Sequence, residues 1–351
     1  MATATAPAPL KLDDADQVEQ KHKEAVAVAV AKCADDTKGQ TCYICMEGVK
    51  RRTGEGLVSG FCACRGGSSF VHVSCLAEQA KILFAEAEEN NLDHKVQNAR
   101  FNRWSTCGLC KQDYHGVVAC ALGWACWKTY ASRPDRQDLA INNLGSCLFH
   151  GGHNEDALSV FKTELVMLMR LGAPEERILF VQGNIAIMYQ RMGRLEEALR
   201  VRRHVYSRRL KLNSEHQLTL MAANNYADSL RGLGRFEEAK TLLRKTLPVV
   251  RRVLGEGHDL FFFMTLNYAA TLYSDPDATF DDLREAVDTF EKAERTARRV
   301  FGGEHPFVRE IGLGLQRARG ALSEAQVMRI RKLFEAELEL GSEETQPSGD
   351  A

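Results

Sequence analysis

The sequence predicts a mostly α-helical fold in which a small metal-binding module of mixed α+β character precedes an α-solenoid. Seven cysteines and one histidine stand in short, paired spacings between Cys42 and Cys110. A phrase that opens with asparagine then recurs four times, at intervals of 41, 41 and 42 residues. The chain of 351 residues is too long for one ordinary core, so about two or three domains are expected.

The composition narrows the function classes. Hydrophobic residues make up 44% of the chain and charged residues 26%, which is typical of a soluble globular protein. A formal net charge of -1 gives no overall attraction to nucleic acid or to an anionic membrane, so neither partner is predicted. No run approaches the ~20 apolar residues of a membrane-spanning helix. We therefore expect a soluble protein whose function lies in local motifs.

The cysteines and the histidine predict a metal site. They read Cys42-x2-Cys45, Cys62-x-Cys64, His72-x2-Cys75 and Cys107-x2-Cys110. A structural zinc ion takes four soft or borderline ligands in a closed tetrahedral site, so these eight ligands predict two zinc ions. Because they account for seven of the eleven cysteines, a disulfide framework is disfavoured. We expect a reducing, intracellular location. The cytoplasm is the favoured compartment, and the nucleus is the alternative.

The patterns divide the chain into five segments. Residues 117–131 carry aromatic side chains in an apolar pattern too short to span a bilayer, which favours a docking helix. The predicted segments are a disordered tail with a possible helix (1–38), the metal module (39–116), a docking helix and linker (117–137), about four repeats (138–322), and a capping helix with a disordered tail (323–351).

Each repeat predicts a pair of helices joined by a tight turn. The first helix carries the recurring asparagine, at Asn143, Asn184, Asn225 and Asn267. Nine residues further on, three units have a glycine, at Gly152, Gly193 and Gly234. A turn between two helices needs a residue that adopts positive φ there. Two helices per unit at a fixed period are typical of an α-solenoid, in which neighbouring units bury each other's apolar faces.

The metal module resembles a known family. One residue separates the third and fourth ligands, and seven residues separate the fourth and fifth. The fourth ligand opens the phrase Cys64-Arg65-Gly66-Gly67, and the fifth closes the phrase Phe70-Val71-His72. Residues 42–114 are in these features similar to the RING-CH (RING-variant) finger of ubiquitin ligases. The resemblance implies a small cross-braced finger that binds a ubiquitin-conjugating enzyme and positions its ubiquitin thioester.

The resemblance also implies roles for particular residues. The first zinc ion would take Cys42, Cys45, His72 and Cys75, and the second would take Cys62, Cys64, Cys107 and Cys110. Ile44 and Leu109 would contact the conjugating enzyme, and Lys111 would contact ubiquitin. The alternatives are packing around the metal loops for Ile44 and Leu109, and a solvated side chain for Lys111.

One departure from the family leaves ligase activity open. RING-CH fingers usually have a tryptophan four residues after the sixth ligand, where this chain has Gln79. Trp104 is the candidate substitute. A PHD finger, which reads histone tails, has the same ligand order, but the seven-residue gap and the position of Trp104 favour RING-CH.

The repeats resemble tetratricopeptide repeats of the kinesin-light-chain type over residues 138–319. Besides the asparagine phrases, they share Glu-Glu-Ala phrases and the inter-repeat phrase Gly255-Glu256-Gly257-His258. The resemblance implies a groove for a protein or peptide ligand, lined by Asn143, Asn184, Asn225 and Asn267. The alternative is that these asparagines bridge neighbouring helices. The histidines of the inter-repeat phrases are interpreted as loop caps rather than as metal ligands.

Two functions follow from these resemblances. The first is a ubiquitin ligase, a transferase that recruits the conjugating enzyme through the finger and the substrate through the repeats. The second is a non-catalytic scaffold for protein–protein interaction. In both, chelation is expected to unfold the finger and to leave the repeats largely intact.

Overall fold

The computed structural model describes residues 12–343. Within this range the chain forms thirteen α-helices, and the only β pairing is two single antiparallel bridges, Val58 with Val71 and Thr106 with Asp113. The predicted mostly α fold is confirmed, and the β part of the metal module is limited to these bridges. The tails predicted to be disordered are 1–9 and 341–351. Residues 341–343 are instead the end of a helix, and the rest of both tails lies outside the described residues.

The chain divides into two compact units, one ending at Arg194 and the other beginning at Leu195. The helices of the first unit are α1 (Ala15–Cys33), α2 (Val73–Glu89), α3 (His94–Phe101), α4 (Gly116–Tyr130), α5 (Gln137–His150), α6 (Asn154–Arg170) and α7 (Glu175–Arg191). Side-chain caps start α1 and α3, where Asp14 and Asp93 each accept two backbone N–H groups of the first turn.

Helix α4 is the centre of the first unit. It is apolar on every side, and eleven of its fifteen residues are buried. It packs against α1, α2 and α5. Gly123 permits the close approach to α5, because a Cβ at this position would lie 2.7 Å from Cβ of Cys147. The apolar pattern predicted for this segment therefore serves packing inside the protein.

One apolar core joins the metal module to the first helical repeats. It contains Phe84 of α2, Trp104, Tyr130 of α4, Ile141 of α5 and Val181 of α7. A second core surrounds the metal ligands and also includes residues of α1 and α4. The predicted boundaries at 116 and 137 stay predictions, but residues on both sides of them share a core.

An ion-pair cluster adds to this connection. The Glu88 carboxylate, at the end of α2, accepts hydrogen bonds from the guanidinium groups of Arg133 (2.9 and 3.0 Å) and Arg136 (2.6 Å), which precede α5. The pKa of Glu88 is lowered because these hydrogen bonds outweigh the opposing effect of burial. A charge-assisted, partly buried cluster of this kind holds α2 against the start of the repeats.

The second unit consists of helix pairs. Its helices are α8 (Leu195–Leu212), α9 (Gln217–Gly232), α10 (Phe236–Leu254), α11 (Asp259–Ser274), α12 (Phe280–Phe301) and α13 (Pro306–Glu343). Each helix packs against the next, and α11 also packs against α9 and α13. Phe262 and Phe290 lie in the shared core.

The turns and caps follow the sequence prediction. Gly152, Gly193 and Gly234 adopt φ of 85°, 72° and 72°. The inter-repeat histidines cap the following helices, because Nδ1 accepts the N–H two residues further on, at 3.2 Å for His216, 3.1 Å for His258 and 3.3 Å for His305. Their interpretation as caps is confirmed.

Among the helices of the described residues, none has the length and apolar character needed to cross a membrane.

Candidate metal centres and repeat groove

The first cluster of candidate ligands contains Cys42, Cys45, His72 and Cys75, whose ligand atoms all lie within 4.8 Å of one another. Cys42 and Cys45 belong to a tight loop, while His72 is the N-cap residue of α2 and Cys75 lies in its first turn. Nδ1 of His72 is 3.4 Å from Sγ of Cys45 and 3.7 Å from Sγ of Cys75. The imidazole therefore faces the thiols through Nδ1.

The second cluster contains Cys62, Cys64, Cys107 and Cys110, again with all ligand atoms within 4.8 Å of one another. Sγ of Cys64 lies 3.7 Å from Sγ of Cys107. The structure thus brings the first ligand pair of the sequence together with the third pair, which is His72 and Cys75, and the second ligand pair together with the fourth. Each centre closes across a long stretch of chain.

The distances fit a tetrahedral metal ion. Metal–sulfur bonds of about 2.3 Å and metal–nitrogen bonds of about 2.0–2.1 Å give tetrahedral edges of about 3.8 Å between two sulfurs and about 3.6 Å between sulfur and nitrogen. The three separations of 3.4, 3.7 and 3.7 Å lie close to these values. Both clusters can hold metal ions and are compatible with a small zinc finger.

The two Cys-x2-Cys loops have the same backbone geometry. In each, the N–H of the first cysteine donates to the carbonyl five residues on, at 2.9 Å for Cys42 and 2.8 Å for Cys107. The N–H four residues on donates back to the carbonyl of that cysteine, at 2.8 and 3.0 Å. The residues that make this turn, Met46 and Lys111, adopt φ of 62° and 63°. Lys111 therefore has a structural position that its sequence context alone did not indicate.

Within each cluster, the protein environment raises the pKa of some thiols and lowers the pKa of others. Burial raises the pKa of Cys75 to about 12, although the ammonium of Lys50, 3.6 Å from its Sγ, opposes the shift. Hydrogen bonds from the backbone, first of all from Gln112, lower the pKa of Cys110 to about 6. A bound metal ion requires thiolates, so it displaces protons from the buried thiols.

Ile44 and Leu109 occupy the same position in the two loops, directly before the second cysteine. Ile44 is half-buried, whereas Leu109 is 57% exposed. Lys111 is exposed, and its ammonium donates to the carbonyl of Gly108 at 2.8 Å. Met46 and Val49 are also exposed apolar residues of the module. The sequence reading missed these two, although Met46 has the same loop position as Lys111.

Trp104 does not supply a surface aromatic ring. It is 1% exposed and makes an edge-to-face contact with Tyr130 at a centroid distance of 5.8 Å. Gln79, at the position of the family's tryptophan, is half-buried on α2. Trp104 therefore stabilises the core between α2 and α4, and it does not substitute for the tryptophan that the family has at the position of Gln79.

The recurring asparagines of the first unit differ in accessibility. Asn143 is buried on α5 beside the thiol of Cys126 on α4, and its Nδ2 has no hydrogen-bond partner among the described residues. Asn184, on α7, is half-buried. Asn143 is thus in the position expected of a residue that holds neighbouring helices in register.

In the second unit, Asn225 and Asn267 line a groove of about 380 Å³ formed by α9, α11 and α13. Nδ2 of Asn267 donates to the carbonyl of Asn224 at 3.2 Å, and its Oδ1 accepts from Nε of Arg231 at 3.1 Å. Asn267 therefore bridges α9 and α11. Asn225 is half-buried in the same groove.

Comparison with known proteins supports the prediction of tetratricopeptide repeats in this chain. Residues 177–252 match the family model described as tetratricopeptide repeat. This segment consists of tetratricopeptide repeats. Comparison with curated proteins gave no match.

Several solved structures are similar to the chain. One is a putative kinesin light chain of Podosopora anserina with nearly identical TPR-like repeats, at 20% identity and a TM-score of 0.47, covering 62% of this chain and 100% of that one. Another is BtubC (BKLC) from P. vanneervenii, at 17% identity and a TM-score of 0.47, covering 80% and 95%. A third is the TPR2AB domain of yeast Sti1 in complex with pHSP90, at 13% identity and 0.26, covering 70% and 99%.

The tetratricopeptide repeats are also joined by buried polar contacts that the sequence reading missed. Arg202 of α8 is buried, and its Nη1 donates to the carbonyl of Asn225 and to Oγ of Ser229, each at 2.8 Å. Arg209 of the same helix is also buried, and the seven-residue spacing of the two arginines, which places them on one face of α8, is the available sequence signal. The repeat match indicates protein–protein interaction as the general role of this region.

Proposed function

We propose that the chain is a RING-CH-type ubiquitin-protein ligase that carries two zinc ions. The observation that supports this best is the pair of four-ligand clusters, in which neighbouring ligand atoms are 3.4 to 3.7 Å apart. The clusters interleave along the chain in the order that the RING-CH resemblance implies. The proposal joins this metal module to a region of tetratricopeptide repeats that binds the substrate.

Zinc is the metal that fits the donor atoms. Seven thiolates and one imidazole are soft or borderline ligands, which select zinc over magnesium or calcium. Four protein ligands in each cluster complete the tetrahedron, so the ions have a structural role and leave no open position for a reacting water. When bound, zinc supplies cross-links that hold the two Cys-x2-Cys loops in place.

The ligase would work by positioning. Ile44 and Leu109 present apolar side chains from equivalent positions of the two loops to the conjugating enzyme. Lys111, exposed beside the second loop, would donate to ubiquitin. These contacts restrain the thioester in a reactive orientation, and no covalent intermediate forms on this chain.

The repeats would recruit the protein to be modified. In the second unit, the groove between α9, α11 and α13 offers Asn225 and Asn267 beside the exposed apolar residues Phe263 and Leu313. Such a mixture of amide and apolar groups suits a protein or peptide ligand. We also propose an intracellular location, since the thiolate ligands must stay reduced.

The test is an autoubiquitination assay with the zinc-loaded full chain and a panel of ubiquitin-conjugating enzymes. We expect ubiquitin transfer with at least one enzyme, reduced about tenfold or more by Leu109→Ala. Leu171→Ala is the matched control, because Leu171 is 69% exposed and Leu109 is 57% exposed. Cys42→Ser should abolish transfer together with zinc binding at the first cluster.

The absence of transfer with every enzyme, from a folded sample with two zinc ions, would contradict the ligase. A Leu109→Ala variant as active as the control would contradict the proposed contact.

The second candidate is a non-catalytic scaffold for protein–protein interaction. It is favoured by Gln79 and by the burial of Trp104, which leave the usual tryptophan without a substitute. In this case the sample would bind two zinc ions and a partner protein, and would transfer no ubiquitin. Binding of a histone-tail peptide by the metal module would instead support a PHD-like reader.

A further inference from the structure

The second unit has another groove on a different set of helices. It lies between α10 and α12, the second helices of two consecutive repeats, and residues of α11 form its floor. Its volume is about 510 Å³. This value lies inside the range of about 300–1,000 Å³ that is usual for ligand sites. None of the recurring asparagines lines it.

The floor of the groove is apolar and accessible. Leu247 and Pro248 of α10, Phe261 of α11 and Ala293 of α12 contribute to it. Pro248 stands inside α10, where it has no N–H to donate. The carbonyl of Arg244, four residues earlier, therefore lacks its helical donor, and Arg244 also lines the groove. The floor of the site is thus a mainly apolar surface.

The rim of the groove is mainly basic. Arg244, Arg251, Arg252 and Lys292 line it, against the carboxylates of Glu256 and Glu285. The arginines are exposed and form surface ion pairs, which are weak and exchange readily for other anions. Lys292 is exposed, and it takes part in no ion pair within 4.0 Å with any side chain that the structure describes. One cation of the rim is therefore uncommitted.

We propose that this groove binds an acidic peptide segment of a partner protein. An apolar side chain of the peptide lies on Leu247 and Phe261, and flanking carboxylates pair with Lys292 and the rim arginines. The charge of the rim selects acidic over basic segments, because each rim arginine has one close carboxylate partner, Glu285, Glu256 or Glu215, and Lys292 is a surplus cation. The site is independent of the zinc module and of the groove that contains Asn225 and Asn267.

The probes are two fluorescent ten-residue peptides, each with one phenylalanine and one leucine. The other residues are aspartate and glutamate in the acidic peptide and lysine in the basic peptide. Fluorescence anisotropy with the zinc-loaded full chain should give a dissociation constant below about 100 µM for the acidic peptide. The basic peptide should bind at least about tenfold more weakly. Raising the salt concentration should weaken the acidic complex, because screening acts on its charge pairs.

Substitutions at Thr289, which lines the groove from α12, separate charge from bulk. Thr289→Glu should weaken the acidic peptide at least about tenfold, whereas Thr289→Gln, of the same size and uncharged, should weaken it much less. Leu313→Glu, in the groove of α9, α11 and α13, is the control on the other surface and should leave binding unchanged.

Several results would overturn the proposal. The first is that the acidic peptide does not bind at 1 mM, which is about tenfold above the expected limit. The second is that the two peptides bind with equal affinity, and the third is that Thr289→Glu and Thr289→Gln lose the same amount of affinity for the acidic peptide. Loss of binding in Leu313→Glu with no loss in Thr289→Glu would assign the peptide to the other groove. None of these results bears on ubiquitin transfer, so this proposal and the ligase proposal fail separately.

Discussion

Replacement of Glu164 by glutamine is expected to stabilise the first unit and to remove part of its pH dependence. Glu164 lies on α6 and is 1% exposed. Nδ2 of Asn142 donates to its Oε2 at 3.3 Å, and its Oε1 has no hydrogen-bond partner among the described residues. Burial raises the pKa of Glu164 to about 7, although the hydrogen bond from Asn142 and the charge of Arg177 oppose the shift.

The sign follows from proton binding. The ordinary pKa of a glutamate in the unfolded chain is about 4.3, so between about pH 4.3 and 7 the folded state holds a proton that the unfolded state has released. The stability of the first unit should therefore fall as the pH rises through this window. The shift corresponds to a destabilisation of at most about 4 kcal/mol above pH 7, at about 1.4 kcal/mol per pH unit.

The assay uses the tryptophans. All three, Trp104, Trp124 and Trp127, belong to the first unit, so urea unfolding followed by tryptophan fluorescence reports on that unit. At pH 8, Glu164→Gln should raise the free energy of unfolding by about 1–3 kcal/mol and flatten its dependence on pH. Glu155→Gln, exposed on the same helix, is the matched control and should change it by less than about 1 kcal/mol. A destabilised Glu164→Gln variant, or an unchanged pH dependence, would refute the reasoning.

Three further predictions concern the metal and the backbone. Chelation should release about two zinc ions and unfold α4–α7 together with the metal module, because these helices and the module share a core. Hydrogen exchange in α8–α13 should stay slow. Slow exchange throughout α5–α7 after chelation would contradict this prediction. His258→Ala should destabilise the start of α11 by about 1 kcal/mol, measured by hydrogen exchange of its first turn, whereas His258→Asn should keep the cap. Lys111→Gly should keep both zinc ions, whereas Lys111→Val should lose one, because a β-branched residue disfavours positive φ; equal zinc content in the two variants would argue against this role of the loop.

The structure changes one expectation about chelation. From the sequence, the finger and the repeats were expected to be separable, so that metal removal would leave the repeats folded. Phe84 and Trp104 of the module pack in one core with Ile141 and Val181. A metal ion bound in these clusters is therefore expected to stabilise the first repeats as well, and the second unit is expected to be independent of it.

Local features of this protein follow from the sequence by itself. The spacing of the cysteines, the asparagine phrases, the turn glycines and the histidine caps each depend on residues within a few positions of one another. A positive φ at Gly193 or a cap at His258 is decided by the backbone geometry of a single turn, which short-range residue preferences predict.

Only the tertiary structure decided which side chains are accessible. Trp104 and Glu164 are buried by helices that are distant in the chain, and Asn267 is engaged by Arg231. The basic groove arises because α10 and α12, from consecutive repeats, flank α11. A periodic pattern tells which residues share a helix face, but the element that covers this face depends on long-range packing, and this packing determines whether a residue serves the core or a site.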